Sequence, residues 1–379
     1  MTINKKAIAL HKKFRGKIEM RSKVALATRG DLNLAYTPGV GAVCLEIAKD
    51  KNKSREYTNR ANQVAIVSDG TAILGLGNIG PEAGMPVMEG KAAIFKEFAG
   101  VDAFPLCINA DSADEVINFC KQIEPSFAGI NLEDIAAPRC FEVLERLEKV
   151  LSIPVFHDDQ DGTAIVTLAG LINACRASGR VLKEQKISIS GSGAAGLAIA
   201  RLLIAFGAKD ICLIDSKGAV NKNRKDLNRY KLEILKKTKT SRRGTSKEEC
   251  VRGSDVYIGV SRAGELSPEM IKSMNQHPII FAMANPVPEI LPAEAYEAGA
   301  LIVATGRSDF DNQINNALVF PGIFRGLLDF GIKKVTTAMK ISAAIALAYS
   351  VKKPKNNSIV PNITDKKVVK IIANAIRQK

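Results

Sequence analysis

Apolar residues in this chain fall into two kinds of run. Short runs read as strands buried on both faces: ISIS (187–190), ICLID (211–215), VYIGV (256–260), IIFAMA (279–284) and LIVAT (301–305). Between the first two lies LAIARLLIAFGAK (197–209), apolar at helical spacing and closed by Gly207. Alternating strand and helix predicts a parallel, doubly wound sheet of the Rossmann type. The tail from about 333 is helical in pattern (VTTAMKISAAIALAYSV) and broken at Lys353-Pro354. The first 150 residues are less regular, with strand-like VAIVS (64–68) and helix-like CFEVLERLEKV (140–150). They predict a smaller α/β substrate domain over 1–157, followed by a dinucleotide-binding domain over 158–379.

Composition changes this picture little. With 46% apolar and 25% charged residues, the chain reads as soluble and globular, with no apolar stretch long enough for a membrane span. The N-terminus lacks the apolar core of a secretory signal, which predicts a cytoplasmic protein. Seven cysteines without a CxxC pair predict reduced thiols.

The net charge of +15 suggests nucleic acid until its distribution is considered. Segments 1–29, 217–249 and 333–379 carry +8, +8 and +10, which leaves −11 on the remainder. Tryptophan is absent and aromatics are 5%, so a stacking platform for bases is missing. The basic segments therefore read as solvated faces, with 217–249 a surface excursion between two strands.

GxGxxG occurs twice. GLGNIG (75–80) runs into PEAGMP, which predicts a loop rather than a helix. GSGAAG follows ISIS and opens the clean helix, so Gly191, Ser192, Gly193, Ala194, Ala195 and Gly196 predict a dinucleotide pyrophosphate site. Asp215 ends the next strand nineteen residues after Gly196, where an acid bonds the ribose hydroxyls. That acid favours NAD, and Lys217 leaves NADP open.

Two acid pairs follow strand-like runs: Glu133-Asp134 after FAGIN, and Asp158-Asp159 after IPVFH. Carboxylates without cysteine form a hard oxygen site suited to Mg²⁺ or Mn²⁺. His157 reads as a hydrogen-bonded support, and Asp161 as a helix cap. A nicotinamide cofactor with a divalent cation points to oxidation of a hydroxy acid, and to carbon–carbon cleavage if a second carboxylate lies beta to the new carbonyl.

Seven stretches carry a resemblance to a known family: YTPGVGAVCLEIAKD (36–50), SDGTAILGLGNIGPEAGMPVMEGKA (68–92), INLEDIAAPRCFE (130–142), PVFHDDQDGTA (154–164), GSGAAG (191–196), FAMANPVPEI (281–290) and ATGRSDFDNQINNALVFPGIFRG (304–326). In this order they resemble the malic enzyme family in its short prokaryotic form. The resemblance implies oxidative decarboxylation of L-malate to pyruvate and CO₂, with metal ligands at Glu133, Asp134 and Asp159. It implies Lys91 as base, oriented by Asp158, with Tyr36 as acid. It places substrate contacts at Asn285 and Asn316, with Asn315 the lesser choice, and implies a homodimer. Asp161 stands where the family commonly has histidine, Asn78 where it commonly has aspartate, and Ala72 where the larger eukaryotic enzymes carry arginine. The alternatives are a related oxaloacetate decarboxylase or hydroxy-acid dehydrogenase, and a basic nucleotide-bound binding protein with a vestigial site.

Overall fold

A computed structural model describes residues 2–238 and 244–377. Among the described residues ten strands form two sheets. They are β1 (Gln63–Ser68), β2 (Asp102–Cys107), β3 (Gly129–Leu132), β4 (Val155–His157), β5 (Lys186–Ser190), β6 (Asp210–Asp215), β7 (Gly218–Ala219), β8 (Val256–Gly259), β9 (Ile279–Ala282) and β10 (Ile302–Thr305). The first sheet is parallel in the order β2-β1-β3-β4, and the second runs β10-β9-β8-β5-β6-β7. Only β7, paired with β6, is antiparallel among these. The expected doubly wound α/β architecture is present.

In each sheet the strand order reverses once, beside β1 and beside β5. Loops leaving the carboxyl ends at such a point diverge to opposite faces and open a crevice. The crevice of the first sheet takes the loops after β1, β3 and β4. That of the second takes the loops after β5 and β8.

The two sheets share one core. A single apolar cluster runs from Val64 on β1 to Ile376, and a smaller one covers the far side of the second sheet. After β10 the chain returns to the first sheet through the helix Phe320–Asp329. There Phe320 and Phe324 pack on Phe95 with ring centroids 4.7 and 5.2 Å apart, and Phe324 meets Phe156 at 5.9 Å. Each buried ring contributes on the order of 2–3 kcal/mol. The helix Thr337–Ser350 packs on Thr163–Ser178, where buried Asn173 donates to the carbonyls of Ala348 and Ile359 at 2.7 and 2.8 Å.

Several expectations are corrected. GLGNIG does lead into a helix, Pro81–Ala99, with Gly80 as N-cap. Pro81 sits in the first turn, where a missing N–H costs nothing, and Pro86 interrupts the ladder only near that end. The residues 217–249 are more than a surface excursion: the helix Arg229–Lys237 buries Tyr230, Ile234 and Leu235. Part of that stretch lies outside the described residues. Cys212 and Cys250 are joined as a disulfide, while the other five cysteines are free. The helix Lys247–Val251 packs beside β6, a proximity that a separation of 38 residues hides.

The first sixty residues differ from all the rest. None of the described ones is buried, although the helices Ile3–Phe14, Arg29–Ala35 and Val40–Lys49 are regular. Phe14, Met20, Leu34 and Leu45 are between 65% and 86% exposed. Among the described residues nothing covers so much apolar surface on one arm.

Candidate active site

Lys91 lies in the third turn of Pro81–Ala99, not on a loop, and points at the ends of β3 and β4. Its Nζ is 2.9 Å from Glu133 Oε1 and also donates to Asp158. Asp134, in the left-handed region with φ 52°, donates its N–H to Asp159 Oδ2 at 2.7 Å. That turn swings the Asp134 carboxylate to the same side as Glu133. Ligand oxygens of Glu133, Asp134 and Asp159 all lie within 4.8 Å of one another. Asp134 Oδ2 is buried and has no hydrogen-bond partner. An orphaned carboxylate oxygen beside two more carboxylates fits a hard divalent cation, since buried acceptors otherwise find a donor.

The electrostatics show the strain of packing these acids together. Burial, with Asp159 adding to it, raises Glu133 well above the ordinary carboxylate range. The same causes raise Asp134 to about 8. Burial raises Asp158 to about 6, against the pull of Lys91. For Lys91 burial acts downward, but Asp158 and Glu133 outweigh it and the net shift is upward. The expected loss of the lysine proton therefore needs positive charge among these carboxylates. His157 is fully buried, and burial lowers its pKa. Among the described residues neither ring nitrogen has a hydrogen-bond partner, so the expected support is absent there. Asp161 does not cap Thr163–Ser178; it pairs with Lys340 at 2.6 Å.

Lys91 and the clustered carboxylates Glu133, Asp134 and Asp159 line a cleft of about 510 Å³, whose wall also includes Gly193, Ala194, Ala195, Asn285, Asn315 and Asn316. Gly75 of the first glycine motif belongs to it too: a Cβ there would stand 1.9 Å from the Asn285 carbonyl oxygen. From the sequence that motif reads as a structural loop, yet its glycine permits the same close backbone approach at the cleft wall. Asn315 accepts from the Ala317 N–H at 2.9 Å, which occupies its side-chain oxygen.

A second cavity of about 380 Å³ contains Gly191, Ser192, Gly193 and Asp215. Gly193 and Ser261 line both cavities, so the groove runs from the carboxylates to Asp215. Gly196 packs its helix onto the β5 turn, and a Cβ there would lie 1.7 Å from the Gly191 carbonyl oxygen. Asp215 accepts from Arg224 at 2.7 Å and Lys231 at 2.6 Å, which lower its pKa against burial. Tyr36 is 69% exposed and is not in the cleft wall of its own chain.

Residues 15–148 match the N-terminal domain of malic enzyme, and residues 160–379 match its NAD-binding domain. The chain belongs to the malic enzyme family. It is 51% identical to the bifunctional malic/malolactic enzyme of Bacillus subtilis, covering 99% of this chain and 92% of that one. It is 50% identical to the NAD-dependent malic enzyme of Geobacillus stearothermophilus over 95% and 76% of the two chains. The crystal structure of the NAD-dependent malic enzyme of Thermotoga maritima superposes with a TM-score of 0.94 at 47% identity, covering 98% of each chain. As a malic enzyme the chain is an NAD(P)-dependent oxidoreductase.

Proposed function

We propose that this chain oxidises L-malate to pyruvate and CO₂ at the cleft between its two sheets, with NAD or NADP and with Mg²⁺ or Mn²⁺. The observation that carries the reading is one cluster: Lys91 clamped between Asp158 and Glu133, beside the converging oxygens of Glu133, Asp134 and Asp159, facing Gly193 across the groove. A divalent cation on the three carboxylates would supply Lewis acidity toward the new carbonyl, and the nicotinamide would take the hydride. Lys91 Nζ takes the hydroxyl proton, with Asp158 fixing its direction. Asn285 and Asn316 orient the substrate from the opposite wall. Tyr36 returns a proton to the enol carbon.

Tyr36 is exposed and lies outside the wall of its own chain's cleft, so the active form in this reading is a homodimer. The exposed arm packs on a second copy and brings Tyr36 to that copy's cleft. No described helix is long and apolar enough to cross a membrane. We place the enzyme in the cytoplasm, with 1–157 supplying the carboxylates Glu133 and Asp134 together with Lys91, and 158–379 the dinucleotide site.

The test is a matrix of malate, Mn²⁺ and either dinucleotide, followed by reduced cofactor and by product. Metal-dependent reduction with equimolar pyruvate supports the reading. Lactate without net reduced cofactor would mark a malolactic reaction instead, and no turnover of malate would reject it.

The raised carboxylates give a second expected result. An acid whose pKa is raised on folding is destabilising once ionised, so for Asp134 the cost begins above about 4 and is complete above about 8. Metal binding removes that cost and expels the proton. Calorimetric titration with Mn²⁺ in two buffers of different ionisation enthalpy should show net proton release near pH 7. Proton-neutral binding would contradict the assignment of these ligands.

A further inference from the structure

Asp161 and Lys340 form an ion pair behind the turn that carries Asp158 and Asp159. The turn is the five-residue segment Asp158–Gly162, and it has two faces. Asp159 lines the substrate cleft. Gln160 and Asp161 line a separate cavity of about 500 Å³ on the other side, together with Lys340 and Glu148. Lys340 Nζ lies 2.6 Å from Asp161 Oδ1, and the two side chains are only 16% and 11% exposed.

The position of Lys340 is otherwise unfavourable. It stands in the opening turn of the helix Thr337–Ser350, capped by Thr336, where the backbone N–H groups already present positive charge. A half-buried ammonium there is stabilised by a carboxylate facing it, and Asp161 supplies one. Asp161 in turn would be a further buried negative charge on a turn crowded with acids. Lys340 offsets it from the side away from the cleft. The helix that carries Lys340 is itself fixed to Thr163–Ser178 by Asn173.

We propose that Lys340 is a positioning residue: by holding Asp161 it fixes the Asp158–Gly162 turn, and so sets the affinity of the carboxylate site for its divalent cation. The proposal rests on the metal site described above. Loss of Lys340 leaves Asp161 buried and unpaired, and the turn relaxes to solvate it, carrying Asp159 away from Asp134. Loss of the Asp161 charge is milder, because Glu148 in the same cavity offers Lys340 another carboxylate.

The experiment is a double-mutant cycle read as Mn²⁺ affinity, by electron paramagnetic resonance of free Mn²⁺ with the full chain. Lys340→Met should weaken binding about tenfold, the scale on which losing support behind a ligand is felt. Asp161→Asn should weaken it less, and the double variant Asp161→Asn/Lys340→Met should recover most of the affinity. Lys340→Arg, which keeps the pair, should bind close to the unmodified chain and controls for folding. A charge effect without positioning predicts the opposite sign for Lys340→Met, because removing a cation tightens binding of another. Tighter or unchanged binding in that variant, or a double variant no better than Lys340→Met, would overturn the proposal. Absence of Mn²⁺ binding to the unmodified chain would reject the metal reading itself.

Discussion

Replacing Lys91 by alanine should lower kcat for malate oxidation by about a thousandfold, the middle of the range for removing a positioned acid–base group. Lys91 is the cation that meets both Asp158 and Glu133, and at 11% exposure its side chain leaves little room for water to substitute. Lys91→Arg should not restore turnover, although it keeps the charge, because a guanidinium does not give up its proton. Mn²⁺ binding should persist or tighten in Lys91→Ala, since a positive charge beside the ligands has gone. Decarboxylation of added oxaloacetate should suffer less than malate oxidation, because oxaloacetate has no hydroxyl proton to remove. This pattern separates loss of the base from collapse of the site. A Lys91→Ala enzyme within tenfold of the unmodified kcat, or an active Lys91→Arg enzyme, would sink the assignment.

Much of the second sheet was legible in the sequence because its strands are short, apolar and buried on both faces. All five expected strands appear there within about two residues of the predicted limits, an accuracy that periodicity commonly reaches. The acids were legible for a related reason: carboxylates directly after apolar runs have to sit at strand ends. The features that were misread depend on distance in space. Pro86 looked like a helix breaker, yet one proline near the start of a nineteen-residue helix leaves the later turns intact. Asp161 looked like a cap because capping is local, whereas its partner Lys340 lies far along the chain. His157 reads as a hydrogen-bonded support, and only packing shows its nitrogens enclosed, with Asp159 Oδ2 at 3.8 Å and beyond hydrogen-bond reach. Gly75 and Gly196 obey one rule: each lets a backbone carbonyl approach where a side chain would stand.

Mixing two inactive variants should recreate an active enzyme. Tyr36→Phe alone should be nearly inactive, and so should Lys91→Ala alone, for each homodimer then lacks the same group at both clefts. In a mixed dimer the arm of the Lys91→Ala chain carries an intact Tyr36 to the cleft of the Tyr36→Phe chain, which keeps its lysine. That cleft is complete, and its twin lacks both groups. Random exchange puts half the dimers in the mixed form, so activity should recover to about a quarter of the unmodified level. The physical ground is the uncovered arm, in which three regular helices bury no residue while Met20 and Leu34 stand 86% and 80% exposed. Association with a second copy would remove that surface from water. The same contact would account for a tyrosine placed 69% exposed and outside its own cleft. If Tyr36 instead served its own chain, no mixture of the two variants would exceed the sum of its parts. Truncation before residue 58 gives a separate check: the protein should sediment as a monomer and keep its Mn²⁺ site, because Glu133, Asp134 and Asp159 all lie in the folded core beyond the arm.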